Sequence, residues 1–175
     1  MLVLFLFAAA SAVLLPRKEA PEFTAKAVVG EQFQELSLAD YRGKYVVLLF
    51  YPFDFTFVCP TELISFSDAK EQFDEINTVV LGISCDSLHS HLAWIRTDRA
   101  DGGVGKLTYP LISDFSKKIA KKYEVLVEEC GDDLNGAPLR GLYIIDGNGI
   151  IRVSQVNDAP VGRSVEEVIR LVKGY

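Results

Sequence analysis

A cysteine directly followed by a proline, Cys59-Pro60, is the feature of this sequence with the clearest chemical potential. Proline is favoured in the first turn of a helix, so Cys59 is predicted to lie at a helix N-terminus. The exposed N–H groups and positive dipole end at that position stabilise the thiolate, which is the nucleophilic form of cysteine. Thr56 places a hydroxyl on the preceding loop, while Pro52 restricts that loop and shields the sulfur from water. The alternative interpretation, typical of lone cysteines, is a small buried core residue.

A buried strand and a helix are predicted to position this loop. Residues 45–51 form a continuous apolar run rich in β-forming residues, which indicates a strand buried on both faces. After Pro60, apolar residues recur at helical spacing, namely Leu63, Phe66, Ala69, Phe73 and Ile76. Residues 78–85 predict a second buried strand, so the cysteine lies on a strand–loop–helix–strand unit.

The remaining pattern completes an alternation of strands and helices. Further helices are predicted over residues 88–100, 114–123 and 164–175, and a helical turn capped by Ser37 ends at Gly43. Hairpins are predicted over residues 25–38, around Gly30, and 141–156, around the turn 146–149. This order predicts an α/β sandwich with a mixed central sheet, in which parallel pairs are bordered by an antiparallel edge and helices flank the sheet.

The composition describes one ordinary globular domain. The chain has 175 residues, of which 49% are hydrophobic and 24% charged, so it can bury a single core. Its net charge of −6 and the lack of a local Lys/Arg run disfavour the basic surface that nucleic-acid binding requires, so no nucleic-acid partner is expected.

Metal and phosphate sites are not predicted. The three cysteines, Cys59, Cys85 and Cys130, have no zinc-ligand spacing and are too few for a disulfide scaffold. His89 and His91 would not share a helix face, which favours structural roles for both. The glycine-rich segment 102–106 lacks the Ser/Thr of a phosphate-binding loop. No metal and no cofactor is therefore expected.

The sequence resembles the peroxiredoxins, specifically the typical two-cysteine group. The motif that carries the resemblance is Pro52-x-x-x-Thr56-x-x-Cys59-Pro-Thr-Glu62. Collinear segments elsewhere are also similar to that family, at residues 20–23, 43–47, 91–94, 110–114, 139–142 and 161–167. The similarity extends from about Lys18 to Tyr175, so residues 18–175 are identified as one peroxiredoxin-like domain with a thioredoxin-like fold.

The resemblance implies a thiol-dependent peroxidase that reduces hydrogen peroxide and organic hydroperoxides in redox homeostasis and antioxidant defence. Cys59 would be the peroxidatic cysteine, which becomes a sulfenic acid, and Pro52, Thr56 and Arg140 would complete the peroxide site. A permanent guanidinium charge suits that role because it stabilises both a thiolate and the peroxide oxygens. Glu62 and Arg163 would form a supporting polar network. A thioredoxin-type reductant and a homodimer that assembles into a ring, a decamer by resemblance, are the implied partners.

The resemblance leaves open how Cys59 is reduced. Typical members carry a resolving cysteine in a C-terminal tail, and this chain stops at about the point where that tail should begin. Three explanations follow: a truncated chain, which we favour, a one-cysteine enzyme reduced by an external thiol, or resolution by Cys130. Acidic residues on both sides of Cys130 weaken it as an attacking thiol, although not as a target. Cys85 is expected to be a buried core thiol.

The N-terminal residues 1–17 are a candidate signal or targeting segment. Residues 2–15 are almost wholly apolar, which suits a signal-peptide core, although no basic residue precedes them. The run is shorter than the roughly 20 residues of a membrane-spanning helix, so no membrane partner is expected. If residues 1–12, from Met1 to Ala12, are a cleaved signal, the protein is secreted or lies in the secretory lumen; otherwise it is cytoplasmic.

Two other functions compete with a peroxidase. A thioredoxin-like disulfide reductase requires a Cys-x-x-Cys pair, which the residues after Cys59 do not supply. A redox-sensing or chaperone-like assembly with little turnover would use the same fold, and only a turnover measurement separates it from a peroxidase.

Overall fold

Seven strands form one mixed sheet. The computed structural model describes residues 14–56 and 59–175, with the backbone alone at Cys59. The strands are β1 Thr24–Val29, β2 Gln32–Ser37, β3 Tyr45–Phe50, β4 Thr78–Ser84, β5 Leu111–Ser113, β6 Arg140–Ile145 and β7 Ile151–Asn157. In the part of the chain described, their order across the sheet is β2-β1-β5-β4-β3-β6-β7. Strand β4 pairs in parallel with β3 and β5, and the outer pairs are antiparallel, which confirms the predicted mixed sheet.

Five α-helices flank this sheet within the described residues. They are α1 Cys59–Asp68, α2 Lys70–Glu75, α3 Leu88–Arg96, α4 Lys118–Lys122 and α5 Val165–Lys173, with 3₁₀ turns at Leu38–Tyr41 and Arg99–Asp101. The predicted cap at Ser37 is present, because its hydroxyl accepts from Ala39 N, and Ser164 caps α5 by accepting from Glu167 N. Outside the N-terminal and loop residues that lack description, no helix combines the length and apolar character needed to cross a membrane.

The core lies on both faces of the sheet because the central strands are apolar throughout. Along β3, Val47 and Leu49 face one hydrophobic cluster, and Val46, Leu48 and Phe50 face the other. The first cluster packs against α1, α2, α3 and α5, and the second against α4 and the chain before β1. This two-sided burial is what the uninterrupted run at residues 45–51 predicts.

Four predicted helices differ in their bounds, since α5 ends at Lys173 rather than at residue 175 and three others differ more. The helical pattern from Pro60 to Ile76 is divided at Ala69 into α1 and α2. The helix predicted over residues 88–100 ends at Arg96, because the following glycine loop turns back and Val104 N donates to the carbonyl of Trp94. The helix predicted from residue 114 starts at Lys118, because Lys117 adopts a left-handed conformation with φ 61°. Strand β5 was not predicted, since three residues are too short for a clear period.

Candidate active site

Strand β3 carries the chain to the loop that contains the predicted nucleophile, and α1 begins at Cys59. On that loop Pro52 is buried, and the hydroxyl of Thr56 donates to the carbonyl of Phe53 at 3.1 Å. Phe55 has a φ of +55°, which turns the chain sharply between these two residues. The prediction that Cys59 opens a helix is therefore confirmed for its backbone, one residue earlier than the proline at which the helix was expected to start.

Arg140 is brought to this end of the sheet by strand pairing. Leu49 of β3 pairs with Leu142 of β6, so the antiparallel register places Arg140 opposite the residue that follows β3. The Arg140 side chain is buried, and its Nη1 donates to Glu62 Oε2 at 3.2 Å. Glu62 lies in the first turn of α1, so Arg140 is attached to the same turn that begins with Cys59.

Arg163 completes a buried network around Glu62. Its guanidinium donates to both carboxylate oxygens, from Nε at 2.7 Å and from Nη2 at 2.5 Å, and its backbone N–H donates at 2.6 Å. Its Nη1 also donates to the carbonyls of Phe50 and Gly141, at 2.8 and 2.7 Å. Arg163 therefore joins α1 to the ends of β3 and β6.

The electrostatics of this group favour an anion at the start of α1. Arg140 and Arg163 contribute two positive charges and Glu62 one negative charge, and their side chains are 1–3% exposed. Buried charges are screened little, so the positive field adds to that of the helix N-terminus. A thiolate at a helix start in such a field is the reactive form of cysteine.

Comparison with known proteins identifies the family. The model of the AhpC/TSA family matches residues 16–154. The chain belongs to the AhpC/TSA family. It is 56% identical over 91% of its length to the mitochondrial thioredoxin-dependent peroxide reductase of Drosophila melanogaster and 52% identical over 90% to peroxiredoxin-2 of Bos taurus. Among solved structures, the reduced 2-Cys peroxiredoxin of Plasmodium vivax matches with a TM-score of 0.84 and 45% identity, covering 90% of this chain and 80% of the other.

The matched relatives are longer than this AhpC/TSA family member. The chain spans 66% of the fly relative's length and 77% of the bovine one's. The fold itself is that of the peroxiredoxin structures, as the resemblance in the sequence implied.

The two other cysteines of this AhpC/TSA family member lie in different environments. Cys85 follows β4 and is partly buried, and this burial, followed by the charge of Asp114, raises the pKa of its thiol to about 12. Cys130 is exposed, in a loop whose ends are joined by a β-bridge between Leu126 and Pro138. Cys85 was expected to be a buried core thiol; it packs against the core but is only partly buried, because it lies just beyond the end of β4. The role of Cys130 stays a prediction.

A second buried polar group borders the loop, and sequence reasoning missed it. We call it the Asp54 cluster, and it consists of Tyr51, Asp54, Asp86, Ser90 and His91. Burial, followed by the charge of Asp54, raises the pKa of Tyr51 well above its ordinary value, so its hydroxyl remains a donor. Burial and then the Asp54 charge also raise the pKa of Asp86. No periodicity marks these residues; only the position of Asp54 inside the motif hints at a role.

The two histidines do not form a metal pair. His91 is buried with its ring nitrogens near Asp54 and Ile112, and His89 is exposed against the ring of Phe33. Among residues 14–56 and 59–175, no group of three or more His, Cys, Asp or Glu side chains is placed to hold a metal ion.

Proposed function

We propose that this chain is a thiol-dependent peroxidase that reduces hydrogen peroxide and organic hydroperoxides through a sulfenic acid on Cys59. The observation that carries the proposal is the position of Cys59 at the first residue of α1, in the turn that Glu62 attaches to two buried guanidinium groups. Relatives named thioredoxin-dependent peroxide reductase and peroxiredoxin-2, at 52–56% identity, support the same activity.

The proposed step is a nucleophilic displacement at a peroxide oxygen. The Cys59 thiolate attacks one oxygen, an S–O bond forms and the O–O bond breaks. The sulfur is oxidised by two electrons to a sulfenic acid, and the peroxide is reduced. The other oxygen leaves as hydroxide or alkoxide and takes a proton from solvent to become water or an alcohol.

The remaining residues of the site act on charge and geometry. Arg140 would stabilise the thiolate and the negative charge that develops on the departing oxygen. The hydroxyl of Thr56 would hydrogen-bond a peroxide oxygen, and buried Pro52 would exclude water from the sulfur. Glu62 and Arg163 would support Arg140 and the first turn of α1, which is consistent with their four hydrogen bonds to one another and to Arg140.

A thioredoxin-type dithiol is the proposed reductant. Its thiol would condense with the sulfenic acid, releasing water and forming a mixed disulfide, which its second thiol would then reduce. The name of the Drosophila relative supports this partner. Two other routes are resolution by Cys130 and resolution by a cysteine outside this chain. The only structural support for Cys130 is that its thiol is exposed.

We propose that the chain self-associates, without fixing the number of subunits. A homo-oligomer built from dimers fits a family whose N-terminally modified Plasmodium yoelii member forms an octamer, described as artifactual for that protein. A redox-sensing or chaperone-like assembly is not favoured by any contact described above.

The targeting function proposed for residues 1–17 falls largely on residues outside the described part. Relatives from fly, rat and human are named mitochondrial, and the rat protein aligns over 98% of this chain, so a mitochondrial address joins the secretory and cytoplasmic alternatives.

Peroxide turnover with a thioredoxin system tests the proposal. NADPH oxidation through thioredoxin reductase and thioredoxin is followed for the wild type and for Cys59→Ser, Cys85→Ser and Cys130→Ser variants. Many turnovers in the wild type and Cys85→Ser, with none in Cys59→Ser, are expected. Stoichiometric peroxide loss would instead support the sensor, and turnover that survives in Cys59→Ser would show the assignment to be wrong.

Mass spectrometry after one equivalent of peroxide separates the routes of reduction. Dimedone traps a sulfenic acid, and peptide mapping locates it. A Cys59–Cys130 disulfide supports internal resolution, whereas a persistent sulfenic or sulfinic acid supports a resolving cysteine outside this chain or reduction by an external thiol.

A further inference from the structure

The Asp54 cluster anchors the loop between β3 and α1 to three other parts of the fold. The Asp54 carboxylate accepts from Tyr51 Oη at 2.9 Å and from Ser90 Oγ at 2.7 Å, and it lies 2.9 Å from His91 Nδ1. The Asp54 backbone N–H donates to Asp86 at 3.0 Å. These partners come from the end of β3, from α3 and from the turn between β4 and α3, so they restrain Asp54 from several directions.

The centre of the cluster, formed by Asp54 and His91, is deeply buried. The side chains of Asp54 and His91 are 1% and 0% exposed. The two ring nitrogens of His91 face a carboxylate oxygen of Asp54 and, at 3.3 Å, the carbonyl oxygen of Ile112. Both oxygens are acceptors, so each ring nitrogen lies beside a group to which an N–H can donate. A buried carboxylate surrounded by several hydrogen-bonding groups is held in place, because moving it would leave buried polar atoms without partners.

The residue after Asp54 has a backbone conformation that needs such restraint. Phe55 has a φ of +55°, in the left-handed region that a residue with a Cβ rarely adopts. The residue is 53% exposed, and its ring lies against Trp94 at a centroid distance of 5.9 Å, so packing alone restrains it little. Strained residues of this kind persist where their surroundings fix them, and they occur often at functional sites.

We propose that Asp54 is a positioning residue for the peroxidase reaction. By fixing the turn at Phe55 it sets the place of Thr56, whose hydroxyl is proposed to contact the peroxide. The inference rests on the proposed function, since it concerns the same loop. It predicts that loosening Asp54 slows reaction with peroxide without changing the reactivity of the Cys59 thiolate itself.

The variant Asp54→Asn tests this with two reagents. The amide keeps the shape of the carboxylate but loses its charge and turns an N–H₂ group toward donors. Oxidation of Cys59 by hydrogen peroxide is followed by rapid quench and peptide mapping, and alkylation by iodoacetamide is followed in the same way. We expect the peroxide rate constant to fall about 10- to 100-fold, because small misplacements have effects of that size. The alkylation rate, which requires only an accessible thiolate, should change less than about threefold.

The matched control is Asp146→Asn. Asp146 is also a buried acid, but it lies just after β6, at the end opposite to Arg140, and its partners are in its own turn and at Arg152. Neither rate should change in this variant. If Asp54→Asn is unfolded by circular dichroism, Ser90→Ala removes one of the three donors while keeping the carboxylate, and a smaller, selective loss of peroxide reactivity is expected.

Steady-state kinetics with dithiothreitol and a double-mutant cycle complete the test. In Asp54→Asn, kcat/KM for peroxide should fall while kcat, set by reduction, stays unchanged. In a Thr56→Val background the same change should have less effect, because both act through one hydroxyl. Equal losses in peroxide and iodoacetamide reactivity, full additivity with Thr56→Val, or an unchanged peroxide rate would each overturn the proposal. A wild type that fails to react with peroxide would instead overturn the proposed function.

Discussion

Replacing Glu62 by glutamine should destabilise the protein strongly. The carboxylate is buried and accepts four hydrogen bonds, three from Arg163 and one from Arg140. Glutamine keeps the size but removes the negative charge, and it points an amide N–H₂ group at guanidinium donors. The two arginine side chains, only 1% and 3% exposed, would then lack their shared carboxylate.

The magnitude follows from the burial of this network. Removing one partner of a buried ion pair costs about 3–5 kcal/mol because a charge remains in a poorly solvated site. For a domain of this size each kcal/mol lowers Tm by roughly 2–4 °C. Together these values predict a fall in Tm of roughly 6–20 °C for the Glu62→Gln variant.

Urea unfolding and thermal melts at one protein concentration measure the effect, since self-association would make stability depend on concentration. The matched control is Glu167→Gln on α5. Its partner Arg170 donates in a similar two-bond arrangement, at 2.7 and 2.8 Å, but both side chains are exposed. We expect the control midpoint to stay within experimental error. A Glu62→Gln midpoint as close to the wild type as that of Glu167→Gln would refute the reasoning from burial.

Three further experiments, one chemical modification and two substitutions, have outcomes that follow from the local environment of single residues. At pH 8, iodoacetamide should modify exposed Cys130 far faster than Cys85, because burial, followed by the Asp114 charge, raises the pKa of Cys85 to about 12; comparable rates in peptide mapping would contradict this. Gly103→Ala should lower the free energy of unfolding, measured in urea, by about 1–3 kcal/mol, since its Cβ would lie 1.9 Å from the carbonyl oxygen of Thr97. Ser164→Ala should remove the α5 cap and lower stability by about 1 kcal/mol, with Ser164→Asp restoring it.

Local patterns predicted most of the elements because their causes are local. The apolar run at residues 45–51 became β3, the turn at residues 146–149 became the β6–β7 hairpin, and Ser37 became a cap. The errors occurred where the conformation of an adjoining loop overrides helix propensity. Helix α3 ends early because the glycine loop bonds to its last carbonyls, and α4 starts late, with Asp114 accepting from Ala120 N at 2.7 Å across the irregular residues between them.

The helix-start cysteine could be read from the sequence because a single dipeptide determines it. Reasoning from the residues alone made Cys59 a plausible reactive thiol, and the collinear resemblance named Thr56, Arg140, Glu62 and Arg163 as its companions. Neither argument gave the distances between these side chains. The assignment of roles to these residues is therefore tested by the turnover and mapping experiments above.

Only the tertiary structure decided which side chains meet. Glu62 contacts Arg140 and Arg163 across 78 and 101 residues of sequence, and Asp54 contacts His91 across 37. Such contacts depend on the order β2-β1-β5-β4-β3-β6-β7, which places β6 beside β3 although two strands, four α-helices and a 3₁₀ turn separate them along the described chain. Periodicity reports which face of an element is buried, but it does not report which elements are neighbours. The sequence alone therefore predicted the candidate nucleophile and the helix that begins there, and the packing of the sheet determined which charged and buried polar side chains lie around that helix start.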